Sequence, residues 1–91
     1  MPDIEIYTTA LCPYCHAAKR LLGEMGAAFR EIDVTFDPAR RAEMRERSGG
    51  RSTVPQVFVN GKHVGGCDDL YALQERGELE ALLKSGAGAV Q

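Results

Sequence analysis

Ninety-one residues with a formal net charge of -2 and a pI near 5.6 make one small domain, and they lack the basic excess that a nucleic-acid module carries. No apolar run approaches membrane-spanning length, and no basic stretch followed by an apolar segment marks a secretory signal. Three cysteines are too few for a disulfide scaffold and leave at least one unpaired, so a reducing, cytoplasmic compartment is expected.

The first strand is read over Asp3-Ile4-Glu5-Ile6-Tyr7, which alternates and is β-branched. Thr8 to Leu11 form a loop. Pro13 suits the first position of a helix, where its missing N–H costs nothing. Ala18, Leu21, Leu22 and Met25 then recur at helical spacing, with His16, Lys19, Arg20 and Gly23 on the wet side. Gly26 ends this helix. Ala28 to Val34 reads as a second strand. Thr35 to Asp37 start a second helix with Pro38 in its first turn; charges alternate from Arg40 to Arg47, and Ser48-Gly49-Gly50 stops it.

Val57-Phe58-Val59, Asn60-Gly61 and Lys62-His63-Val64 read as a hairpin, because Asn-Gly suits a type I′ turn. After Gly65-Gly66, Asp68 is the expected N-cap of a helix bearing Leu70, Tyr71 and Leu73. Gly77 breaks that helix, and Leu79, Leu82 and Leu83 carry a short last one. The first three strands, separated by helices, predict a parallel β-α-β start, to which the hairpin adds two antiparallel strands. The expected architecture is an α/β domain with a four-stranded mixed sheet and helices on both faces. A single domain is expected over 1–85, with a flexible Gly/Ala-rich tail over 86–91.

The chemistry-bearing motif is Cys12-Pro13-Tyr14-Cys15, between the first strand and the first helix. Two thiols this close can trade electrons by closing and opening one disulfide. The first helical turn offers unpaired N–H groups and the positive end of the dipole to a negative sulfur at Cys12. Cys12 at the cap is expected to face solvent and to attack. Cys15, one turn in beside Ala18 and Leu22, is expected to be buried and to resolve the mixed disulfide. Pro13 stiffens the turn and Tyr14 can wall the site. The competing reading is half a zinc site, with Cys67, His16 and His63 as spare ligands. A second closely spaced ligand pair is missing, so no metal site is assigned.

Three blocks in this order resemble the small dithiol class of the glutaredoxins, of the bacterial glutaredoxin-3 kind. They are Cys12-Pro13-Tyr14-Cys15, Thr53-Val54-Pro55-Gln56-Val57-Phe58-Val59 and Gly65-Gly66-Cys67-Asp68-Asp69-Leu70. The resemblance spans nearly the whole chain and implies a thioredoxin fold with a cis Val54-Pro55 bond. It implies that the exposed Val54 backbone, opposite Cys12, pairs with the cysteinyl part of glutathione like one rung of a sheet. Backbone N–H groups of Gly66-Cys67-Asp68-Asp69 would take the γ-glutamyl carboxylate, as helix starts do for anions. An aspartate there would take the γ-glutamyl amine, and Tyr14 and Thr53 would complete the groove.

The implied activity is glutathione-dependent reduction of protein–glutathione mixed disulfides and protein disulfides, with no tightly bound cofactor. The protein would be a monomer whose partners are glutathione and its oxidised protein substrates. One position departs from the family. Many members carry a lysine three residues before the first cysteine, where this chain has Thr9; Arg47 and Arg51 are the candidate substitutes. Cys67 reads as a small packed residue at the start of its helix, and His16 and His63 as ordinary surface residues. Two alternatives share the fold. A redoxin recharged by thioredoxin reductase is disfavoured by the Cys-Pro-Tyr-Cys and Gly-Gly-Cys-Asp-Asp blocks. An iron–sulfur cluster carrier is disfavoured by Pro13 and by competition from the second thiol.

Overall fold

The computed structural model describes residues 3–85; the tail expected over 86–91 lies outside the described residues. The elements are β1 (Ile4–Thr8), α1 (Pro13–Glu24), β2 (Arg30–Asp33), α2 (Pro38–Arg47), β3 (Gln56–Val59), β4 (Lys62–Gly65), α3 (Cys67–Glu75) and α4 (Leu79–Ser85). The sheet order is β2-β1-β3-β4. β1 and β2 run parallel, while β3 enters antiparallel on the other edge of β1, so the parallel start expected from three helix-separated strands stops after two. β4 closes the hairpin antiparallel to β3, with a bulge at Val57/Phe58. Asn60 and Gly61 both have positive φ, 51° and 81°, as a type I′ turn requires.

Alternation along the two central strands sorts the core into two layers. Ile4, Ile6, Val57 and Val59 face α1, α3 and α4 and pack with Leu21, Leu22, Leu70, Leu79 and Leu83. Tyr7 and Phe58 face the other way and pack with Val34 and with Met44 of α2. Each fully buried aliphatic side chain contributes about 1.5–3 kcal/mol, so the larger first layer anchors the sheet to α1. β2 is shorter than the strand expected over 28–34. It is an edge strand with three of its four residues exposed, and alternation cannot mark its ends.

The local signals for helix ends hold at α1 and α2. Pro13 occupies the first turn of α1, and Gly26, just past its end, has φ +72°. Asp37 caps α2 by accepting from Arg40 N–H at 3.0 Å. At α3 the expectation is corrected. The N-cap is Gly66, and Asp68 lies inside the first turn. The acid that closes this helix start is Asp69, whose Oδ2 reaches back to accept Gly66 N–H at 2.8 Å.

Candidate active site

A short loop over residues 9–11 leads from the C-terminal end of β1 to Cys12, which is the N-cap residue of α1. Its Sγ accepts the Cys15 N–H at 3.1 Å and donates toward Val54 C=O at 3.8 Å. The sulfur is therefore held between the helix start and the loop ahead of β3. Cys12 is 8% exposed and Cys15 0%. The expectation that Cys12 faces solvent is corrected: only an edge of it does, because the Val54 loop covers the cap. All three cysteines are free thiols. Burial pushes the Cys15 thiol up to about 12; its hydrogen bond with Cys12 adds to this and a backbone hydrogen bond from Thr9 opposes it. Cys15 thus holds its proton well past neutral pH.

The Val54-Pro55 bond is cis. Beside Cys12 an open groove of about 330 Å³ is lined by Tyr14, Arg51, Thr53, Val54, Pro55, Gly66, Cys67 and Asp68. Its floor joins three separate parts of the chain: the first turn of α1, the loop ahead of β3 and the start of α3. Tyr14 is 66% exposed, an aromatic wall standing in solvent. Gly66 eases the close approach, since a Cβ there would stand 3.1 Å from the Pro55 carbonyl oxygen, a tight contact. The start of α3 borders this groove, and a helix start carries unpaired N–H groups and the positive end of the dipole. A larger depression along α2, about 800 Å³, is lined by Ala39, Ala42, Glu43, Arg45, Glu46, Gly49 and Gly50 and by no thiol.

The glutaredoxin family profile matches residues 4–64. The chain is 55% identical over 84 residues to Glutaredoxin 3 of Escherichia coli (strain K12), an alignment spanning 92% of this chain and 100% of that protein. It is 52% identical over 85 residues to the glutaredoxin of Pseudomonas aeruginosa, spanning 93% and 100% respectively. The chain belongs to the glutaredoxin family. Its fold matches the solution structure of a glutaredoxin from Brucella melitensis with a TM-score of 0.82 at 55% identity, covering 98% of this chain and 94% of that one. It matches a buckwheat glutaredoxin–glutathione complex with a TM-score of 0.85 at 30% identity, covering 99% and 83%. The sheet and helices described above are thus those of a thioredoxin fold, and the protein is a glutaredoxin-3-like thiol–disulfide oxidoreductase.

Within this glutaredoxin the structure separates the two candidate substitutes for the absent lysine. Arg47 turns to the α2 face of the sheet. Its Nη2 donates to Glu5 Oε1 at 2.9 Å and its Nη1 to the Tyr7 hydroxyl at 2.6 Å, with the guanidinium 4.1 Å from the Phe58 ring centroid. Arg51 lines the groove and pairs with Asp69 at 3.2 Å. Of the family-implied residues, Tyr14, Thr53, Val54, Pro55, Gly66, Cys67 and Asp68 meet around the groove, and Asp69 does not line it. The Asp69 carboxylate is committed to Gly66 N–H and Arg51, which hold it below the usual carboxylate range. Burial pushes the Cys67 thiol up, with Asp68 and Cys12 adding to the effect.

His16 is exposed, as expected. His63 is not an ordinary surface residue: it is half-buried, bonded to Gln56 at 2.7 Å and tilted against Phe58. Arg51 and the Gln56–His63 pair are what the sequence reading left unplaced. The charge of Arg51 two residues before Thr53 was a usable signal; nothing in strand alternation links Gln56 to His63.

Proposed function

We propose that this glutaredoxin draws its electrons from glutathione, with Cys12 as nucleophile, Cys15 as resolving thiol and the groove as the glutathione site. The observation that carries the reading is the seat of Cys12 Sγ, 3.8 Å from the C=O of Val54, a residue that lines the groove. A peptide thiol lying along Val54 would present its sulfur to Cys12. Val54 supplies the rung, Thr53 and Tyr14 flank it, and Pro55 and Gly66 keep the floor low. The N–H groups of Cys67 and Asp68 face the γ-glutamyl carboxylate, and the exposed Asp68 carboxylate faces the amine. Arg51 supplies the cation that Thr9 does not.

In the proposed cycle the Cys12 thiolate attacks the glutathionyl sulfur of a mixed disulfide. A Cys12–glutathione disulfide forms as the substrate leaves as a thiolate and takes a proton. A second glutathione thiolate attacks the bound glutathionyl sulfur, releases oxidised glutathione and restores the Cys12 thiolate. With a protein disulfide, Cys12 forms the mixed disulfide with the protein. Cys15 then gives up its proton and attacks Cys12, closing the internal disulfide and releasing the substrate as a dithiol. Two glutathiones reopen it. The substrates are glutathionylated proteins and protein disulfides, the working form is a monomer without a resident cofactor, and the compartment is the glutathione-buffered cytoplasm.

The test is turnover of a glutathione mixed disulfide coupled to glutathione, glutathione reductase and NADPH. The reading predicts saturable turnover. A protein inert in that system but reduced by thioredoxin reductase would overturn it.

A further inference from the structure

The three carbonyls that lead into Val54 are each held by a side chain. Ser48 Oγ donates to Arg51 C=O at 3.0 Å, Arg41 Nη2 to Ser52 C=O at 3.1 Å, and Gln56 Nε2 to Thr53 C=O at 3.1 Å. β3 begins only at Gln56, so residues 51–55 lie outside the strand ladder. The last of these anchors stands closest in sequence to the backbone that faces Cys12.

Gln56 is fully buried, and its amide orientation follows from chemistry. A carbonyl only accepts, so the side-chain nitrogen must face Thr53, where it also lies 3.3 Å from Oγ1. The amide oxygen then faces His63 Nε2 at 2.7 Å. That oxygen also only accepts, so the His63 proton sits on Nε2. The ring is held in turn against Phe58, with centroids 5.1 Å apart. Donation therefore runs in one direction, from His63 on β4 through Gln56 on β3 to Thr53.

We propose that His63 is a positioning residue for the groove, fixing the Thr53–Val54 backbone opposite Cys12 through the buried amide of Gln56. The inference rests on reading the groove as the glutathione site. His63 does not line the groove and touches no reacting atom. Without its donor, the Gln56 oxygen is left buried and unpaired, the amide is held at one end only, and its grip on the Thr53 carbonyl is loosened.

The test compares wild type, His63→Leu and His63→Gln on a glutathione mixed disulfide. His63→Gln returns an N–H donor at similar reach. Loss of one buried hydrogen-bond partner predicts a KM raised about five- to tenfold in His63→Leu. The rate of Cys12 alkylation by iodoacetamide stays unchanged, and His63→Gln recovers most of the lost KM. In wild type, two-bond ¹⁵N–¹H correlations of the imidazole should show the Nε2-protonated form, a readout that holds even where His63→Leu fails to fold. A ring protonated on Nδ1 alone would overturn the proposal. So would a folded His63→Leu with unchanged KM, or one whose alkylation rate falls along with KM. If wild type itself shows no saturation with the mixed disulfide, the glutathione reading fails instead. The tautomer, together with the shift of the Thr53 amide resonance in His63→Leu, still decides the relay.

Discussion

Arg51 Nη1 lies 3.2 Å from Asp69 Oδ2, the same oxygen that accepts the Gly66 N–H at 2.8 Å. One carboxylate therefore ties the rim of the groove to the start of α3. Both partners of the ion pair are nearly half exposed, so its direct worth is about 0–1 kcal/mol and falls with salt. Arg51→Ala is expected to raise the KM for a glutathione mixed disulfide by about two- to fivefold at low ionic strength. The gap should close as salt is added. Kinetics across a salt series check this; a difference that persists at high salt would mean that Arg51 acts by shape and not by charge.

Gly65 makes room for that carboxylate. Its φ is +131°, and a Cβ built there would fall on the Asp69 side chain. Gly65→Ala must shift Asp69 and adopt a backbone conformation that L residues rarely take, at a cost of about 1–3 kcal/mol. Urea denaturation should show this as a lower midpoint with an unchanged slope.

Cys15 predicts a pH dependence of stability in the reduced protein. Its thiol is pushed from an ordinary 9.0 up to about 12, chiefly by burial and next by its bond with Cys12. The folded chain holds this proton more tightly than the unfolded chain does. The stabilisation is thus complete below about pH 9 and is lost as pH rises from there through 12. The limiting slope for one proton is about 1.4 kcal/mol per pH unit. Denaturation between pH 8 and 10.5 should show a steeper fall in wild type than in Cys15→Ala. By the same argument, iodoacetamide at neutral pH should label Cys12 and spare Cys15, which peptide mapping would show.

Tyr7 supplies a control on the other face of the sheet. Its hydroxyl donates to Glu43 at 2.6 Å and accepts from Arg47 at 2.6 Å in the buried layer under α2. Tyr7→Phe removes both bonds at a cost of about 1–3 kcal/mol, because the partners are charged. It should lower the melting temperature and leave the KM for the glutathione mixed disulfide unchanged.

Much of this architecture was legible because its signals are local. Alternation marked β1, Asn60-Gly61 marked the hairpin, and Pro13, Gly26 and Gly77 marked helix ends. The cysteine pair stood out by its spacing and by its place at a helix start. Four features were hidden because they depend on how separate residues come together in space. Asp68 has the side chain of an N-cap, but Gly66 takes that place because Asp69 can fold back to its N–H while Gly65 leaves space. Arg47 and Arg51 are equivalent as letters; the helical turn of α2 sends the first under the sheet, and the loop sends the second to the groove. Cys12 is more covered than its capping position suggests, since the cover comes from Val54, forty-two residues on. The Gln56–His63 bond crosses the hairpin beside a bulge, so strand periodicity could not align the pair.

The most direct test of the central claim compares wild type, Cys12→Ser and Cys15→Ser in the reduction of a glutathione mixed disulfide by glutathione, coupled to glutathione reductase and NADPH. The account predicts no turnover in Cys12→Ser and retained turnover in Cys15→Ser, since Cys12 sits against Val54 at the edge of the groove while Cys15 is fully buried. Turnover retained in Cys12→Ser, or lost equally in both variants, would contradict it.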